Sequence, residues 1–177
     1  MTTQKKAVFA AFLFIIFVLS LLGGAYFSRH AIENDTVYRT ASPTEKPMTI
    51  LTLSPASLSL TKGQKQTVTL SLSNVPVTAI DIVLTYDPAV LTVGSLQNGS
   101  VFDRVIRQTV GNGKIVYSGA VSPEKKNMLK TGVVLTFSVT PKVMGTGTIS
   151  FDRTKTITAL NGGNTLGSTN ELNVEVR

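Results

Sequence analysis

The groups available for chemistry are few and scattered. The 177-residue chain has no cysteine and a single histidine. The lack of cysteine removes disulfide frameworks, thiolate nucleophiles, cysteine-ligated zinc and an N-terminal lipidated cysteine together. The one histidine, His30, sits beside an apolar N-terminal run, away from the patterned part of the chain, so a Ser–His–Asp arrangement has no support. Five acids, Asp81, Asp87, Asp103, Glu124 and Asp152, are of the right type to flank a glycosidic bond, one protonating the leaving oxygen and another attacking. A sugar cleft also needs stacking aromatics. The sequence has no Trp, and Tyr38, Phe102 and Tyr117 are its only aromatics outside the apolar N-terminal run and the clear core alternation. Catalysis is therefore not expected, and neither is a cofactor. Calcium sites need several oxygen ligands close together; Asp87 and Asp103 are isolated, so no metal site is expected. Gly111-x-Gly113-Lys114 and Gly145-x-Gly147 are not phosphate loops, because nothing helical follows them. Asn34-Asp-Thr36 and Asn98-Gly-Ser100 match the short glycosylation pattern.

The formal charge is +7, part of it on Lys5 and Lys6. The later cations Lys62, Lys65, Arg104, Arg107, Lys114, Lys142 and Lys155 lie far apart, and Lys125-Lys126 is preceded by Glu124. A nucleic-acid binder concentrates its cations into a stripe, often with interleaved aromatics. None is present, so no nucleic-acid partner is expected and the surface reads as solvated and mildly basic.

Residues 7–27 carry no charge and only Ser20 as a clearly polar side chain. As a helix this run spans roughly 31 Å, against a hydrocarbon core of about 30 Å. Lys5 and Lys6 precede it, whereas Arg29 and His30 are soon diluted by Glu33 and Asp35. That asymmetry places residues 1–6 in the cytoplasm and the C-terminal part outside, as a single-pass cell-membrane protein. The competing reading is a secretory signal peptide cleaved after Ala25, which would release the rest as a secreted protein. Residues 28–48, with Pro43 and Pro47, read as a polar tether. If flexible, it spans about 25 Å root-mean-square; the alternative is that part of it packs on the domain as an edge strand.

From residue 49 to 177 the periodicity is two. In Thr67–Ser73 every second residue is apolar and the rest are hydroxylic, the pattern of a half-buried strand. Ile80, Ile82, Leu84 and Tyr86 repeat it, as do Val133, Leu135, Phe137 and Val139, and Leu172, Val174 and Val176. Shorter runs lie at 50–53, 90–96, 115–121, 148–151 and 157–160, with a weaker one at 101–110. Lys62-Gly63, Asn98-Gly99, Asn112-Gly113 and Asn161-Gly162-Gly163-Asn164 supply residues that tolerate positive φ. Asn112-Gly113 predicts a hairpin, and Asp87-Pro88 and Met144-Gly145 predict corners. About nine short strands and no stretch of helical period after residue 48 predict an all-β, antiparallel jelly-roll sandwich behind one N-terminal transmembrane helix.

Lys62-Gly63-Gln64 leading into Thr67-Val68-Thr69-Leu70, then Asn74-Val75-Pro76, then Leu84-Thr85-Tyr86-Asp87-Pro88-Ala89-Val90-Leu91-Thr92-Val93, resembles the cohesin domain. Gly132–Val139, Ile149–Asp152 and Leu172–Val176 fit the same family. Related carbohydrate-binding modules share the sandwich and some of this patterning. The resemblance implies a nine-stranded jelly roll without catalytic activity that captures a dockerin module, usually to assemble polysaccharide-degrading proteins at the cell surface. A carbohydrate-binding module, with a polysaccharide as ligand, is the alternative; the lack of Trp counts against it. A purely structural envelope component is a third reading. Independently of the family, Pro88 donates no ladder hydrogen bond and Asp87 can accept from the following backbone, so these two residues end a strand.

The resemblance also places a partner contact. In cohesins an acidic residue five positions before the motif tyrosine touches the partner, and Asp81 stands there. By parity Asp81 lies opposite Ile80, Ile82 and Leu84, with Ala79, Val83 and Thr85 on its own face. Asp81, Val83 and Thr85 are thus the candidate partner-binding residues, a carboxylate beside an exposed apolar centre. The chain departs from the family at Ala79, where a polar residue is common, and at residues 118–123, which contain no acid. The ordinary alternative is that Asp81 is merely solvated and Val83 packs beneath a loop.

Overall fold

The structure is a computed structural model that describes residues 48–177. The expected cytoplasmic start, apolar span, His30 and nearly all of the tether lie outside the described residues. The described chain forms β1 (Thr49–Ser54), β2 (Ser57–Leu60), β3 (Gln66–Ser73), β4 (Ala79–Tyr86), β5 (Leu91–Asn98), β6 (Arg104–Gly111) and β7 (Lys114–Ala120). A short 3-10 turn at Pro123–Lys125 follows, then β8 (Gly132–Pro141), β9 (Gly145–Phe151), β10 (Ile157–Leu160), β11 (Gly163–Asn164), β12 (Leu166–Thr169) and β13 (Leu172–Val176).

The strands assemble as the expected sandwich. One sheet has the order β12-β1-β3-β8-β5; the other has β11-β10-β4-β9-β13-β2, with β7 on the opposite edge of β4 and β6 outside β7. Alternation drives the layering. Val68, Leu70 and Leu72 of β3 face Ile80, Ile82 and Leu84 of β4 across the core, each at most 2% exposed. Full burial of such a side chain stabilises by about 1.5–3 kcal/mol relative to exposure. Phe137, Leu135, Ile115, Ile149 and Leu172 fill the same layer.

Several details depart from the sequence reading. Strand segments outnumber the nine expected, because β2, β11 and β12 are four residues or fewer and carry too little pattern to stand out. Two pairings are parallel, β1 with β12 and β13 with β2, so the sandwich is not purely antiparallel. The run at 101–110 becomes a strand only from Arg104; Val101 and Phe102, each 5% exposed, instead plug the end of the core. In β8 the core residue is Val134, not Val133, because the register with β3 shifts between Leu70 and Ser71 and turns the pleat over. Asn98-Gly99 is not a left-handed turn. Gly99 is needed for a close approach: its N–H donates to the Val134 carbonyl at 2.9 Å, and a Cβ there would overlap the Val133 carbonyl.

The other turns form as expected. Asn112 and Gly113 take φ of 52° and 73° and close the β6–β7 hairpin, both values that this pair tolerates. The hairpin tip presses on the end of β4, where the Tyr86 N–H donates to the Gly113 carbonyl at 2.9 Å. At the following corner the Asp87 Oδ1 accepts the Ala89 N–H at 2.8 Å.

Candidate partner-binding face

Strand β4 lies in the interior of its sheet, and its register builds a four-strand patch on the outward face. Two-residue periodicity means that residues paired across strands share a face. One cross-strand row reads Ala159, Ala79, Ala120 and Arg104. The next reads Ile157, Asp81, Ser118 and Arg107. Below it lie Val83, Val116 and Thr109, and then Ser150, Thr85, Lys114 and Gly111. The patch is a flat apolar centre of alanine, valine and isoleucine crossed by one carboxylate, with cations on the β6–β7 side.

The structure brings the three candidate residues onto this one face. Asp81 is exposed and, among the described residues, forms no ion pair. Val83 is half-buried, neither a fully exposed apolar centre nor a side chain wholly covered. Thr85 is half-buried and tied down: its hydroxyl lies 3.2 Å from Ser150 Oγ and 3.4 Å from the Ser150 carbonyl. Thr85 therefore borders the patch with its hydrogen-bonding capacity partly spent.

Val83 is held by an irregular crossover. Strands β9 and β10 pair with different stretches of the same edge of β4, and between them the backbone ladder is interrupted at Val83. Thr156, 1% exposed, fills the gap: its Oγ1 accepts the Val83 N–H at 3.2 Å and donates to the Val83 carbonyl at 3.4 Å. Asp152 shapes the crossover. Its N–H donates to the Val83 carbonyl at 2.8 Å, and its carboxylate accepts from Thr154 Oγ1 at 2.6 Å and Lys155 Nζ at 2.7 Å. The Lys155 and Thr154 hydrogen bonds pull the Asp152 pKa down to about 2.

Sequence reasoning missed most of the patch, because cross-strand partners depend on register. Ile157 is the clearest case. It is 44% exposed, while its neighbours Thr156 and Thr158 are buried. Alternation alone would turn the isoleucine inward. The inward hydroxyls are satisfied instead: Thr158, Thr165 and Thr49 join through contacts of 3.1 and 2.9 Å, so the core accepts them. The local signal was Thr-x-Thr bracketing an aliphatic residue. Ile106, 69% exposed, was hidden by the β6 bulge, where the register passes from Val105–Gly119 to Arg107–Ser118.

Two open depressions mark this sheet. One, of about 400 Å³, runs along Arg107, Thr109, Lys114 and Val116 on the patch itself. The other, of about 460 Å³, lies on β2, β13 and β9 and is lined by Ser57, Ser59, Thr146, Thr148, Asn173 and Glu175. Neither has an aromatic side chain in its lining. The remaining acids named for catalysis do not converge on either: Asp103 binds Ser122 and Lys125 at the far end of β6, and Asp87 caps its own corner.

Comparison with known proteins places this geometry. A search of curated proteins gives no match. Among solved structures, the chain is similar to CaCohA2 from Clostridium acetobutylicum, with a TM-score of 0.63 and 19% identity over 73% of this chain and 91% of that one. It is also similar to the type I cohesin of the Coh-OlpC-Doc435 complex from Clostridium thermocellum, with a TM-score of 0.60 and 16% identity over 75% and 95%. A non-cellulosomal cohesin from the hyperthermophilic archaeon Archaeoglobus fulgidus gives a TM-score of 0.59 and 15% identity over 73% and 91%. At these identities the likeness shows the fold. The family model for the cohesin domain matches residues 51–176, nearly all of the sandwich. The chain belongs to the cohesin domain family.

Proposed function

We propose that this protein is a non-catalytic capture module that holds a dockerin-type partner on the outward face of β6, β7, β4 and β10. The observation that carries the reading is Asp81. It is a carboxylate without an ion-pair partner among the described residues, set beside Val83, Val116 and Ile157 on a flat face. An apolar centre with a few fixed polar groups is the anatomy of a protein interface, and the depression along Arg107 and Lys114 is open and has no aromatic side chain in its lining. The solved relative from Clostridium thermocellum is a cohesin in complex with a dockerin, which supports the same class of partner here.

Residues 7–27 supply the membrane anchor in this reading, with the sandwich outside the cell on the tether of residues 28–48. Its support is the apolar length and the flanking charge of the sequence. Recruitment of polysaccharide-degrading partners rests on the family resemblance, and the archaeal non-cellulosomal relative shows that the fold also serves in other settings. The test is direct binding of purified dockerin modules to the chain, with Asp81→Ala as the control. Retention of dockerins by the wild type and not by the variant supports the reading; failure of all dockerins to bind rejects it.

A further inference from the structure

We infer that the β6–β7 side of this face selects a protein partner on which an exposed apolar side chain is bracketed by carboxylates. The inference rests on the reading of the face as a partner-binding surface and names the chemistry of that partner. Strand β6 is an edge strand that pairs with β7 alone among the described residues. Edge strands are commonly blunted by charge and by bulges that twist the edge away. Here the bulge does something further: it presents Ile106, 69% exposed, between Arg104 and Arg107. A bulge made only for protection has no need of an exposed isoleucine, which adds an apolar liability unless something covers it. An aliphatic anchor flanked by arginines has the composition of an interface hot spot.

Charge gives the partner's sign. The patch carries three cations, Arg104, Arg107 and Lys114, against the single carboxylate of Asp81. Among the described residues none of the three cations is in an ion pair. The nearby acids are engaged elsewhere, Asp103 with Ser122 and Lys125 and Asp152 with Thr154 and Lys155. Arg107 and Lys114 also line the depression of about 400 Å³. Lys114 pairs with Gly111, four residues along β6 from Arg107, which sets the two cations about 13 Å apart along the strand. A fitting partner therefore places one acidic group at each side of the residue covering Ile106 and a further one about 13 Å away.

The test begins with dockerin modules of differing sequence, screened against the full chain by biolayer interferometry. For the tightest binder, three versions are made in which the residues flanking its contacting apolar side chain are Glu, Gln or Lys. Wild type is expected to bind them in that order, with about tenfold between steps, as for close charge pairs across an interface. Arg104→Glu with Arg107→Glu should reverse the order. Ile106→Ser should weaken all three by about tenfold with an unchanged Tm, since the side chain is exposed in the free protein. Equal binding of the three versions by the wild type, or an order unchanged in the reversed variant, overturns this inference and leaves the capture reading standing. Absence of binding by every dockerin overturns the capture reading, and this inference with it.

Discussion

Asp81 and Arg107 both pair with Ser118, one from each side, so the two opposite charges stand in a single cross-strand row of the exposed face. Two strand spacings separate them, about 10 Å. That distance is near the screening length of physiological salt, so the pair attract each other little in water. Each is left free to meet a partner's charge, and the row has polarity, negative at β4 and positive at β6. A partner docking across it would thereby be oriented as well as held.

Thr156 replaces the missing ladder bond at Val83, so Thr156→Val should weaken the fold while keeping shape. A buried donor left without a partner costs about 1–3 kcal/mol. Urea denaturation is expected to show a loss in that range, with amide exchange rising at Val83 and along β10. Unchanged stability together with unchanged exchange at Val83 would show that the Thr156 hydroxyl does not carry the crossover.

Asp152 makes the crossover acid-sensitive. Its folded pKa is depressed from 3.8 to about 2, first by the hydrogen bond from Lys155 and next by that from Thr154. A depressed carboxylate contributes stability that is complete above the unfolded pKa and is lost as pH falls through the folded one. The stability gap between wild type and Asp152→Asn should therefore be constant above about pH 5, shrink as pH falls below about 4, and be mostly lost near pH 2. High salt should narrow it, because the Lys155 side chain is largely exposed. Thermal melts across that range check this; a gap undiminished at pH 2 contradicts it.

Gly119 of β7 is held to glycine by the core. A Cβ there would stand 2.9 Å from Tyr117 Oη and 3.0 Å from the Phe102 ring. Gly119→Ala should destabilise by about 1–3 kcal/mol, as overpacking does. The Tyr117 hydroxyl is buried and has no hydrogen-bond partner among the described residues, so removing it sacrifices no hydrogen bond within them. Tyr117→Phe in the Gly119→Ala background should then recover part of the loss, measured as coupling in a double-mutant cycle. Strict additivity of the two changes would place the clash elsewhere.

Much of this architecture was legible in the sequence, and the limits have physical causes. Val68, Leu70 and Leu72, and Ile80, Ile82 and Leu84, alternate so regularly that strand, face and core follow from parity. The same parity put Asp81, Val83 and Thr85 together on the outward face. Parity fails where the pleat is broken. The bulge at Ile106 blurs the 101–110 pattern, and the shift opposite Val133 hands the core position to Val134. It also misleads at Ile157, where hydroxyls buried in a bonded cluster reverse the expected order. Ser118, Val116 and Arg107 were out of reach, since their place beside Asp81 comes from pairing across chain segments far apart in sequence.

The proposed capture of a dockerin-type partner puts Asp81 at the centre of the binding face. Its most direct test is titration calorimetry of a dockerin bound by the full chain, comparing wild type with Asp81→Ala and with Asp81→Ala plus Val83→Lys, alongside thermal melts of each. Removing the carboxylate and placing a cation at the apolar centre should weaken binding by about 100-fold or more, in the range of interface hot spots. Asp81→Ala should leave Tm unchanged, because Asp81 is exposed and makes no ion pair among the described residues. Affinity within about threefold of wild type in the folded double variant, a difference of well under 1 kcal/mol, would contradict the assignment of this face.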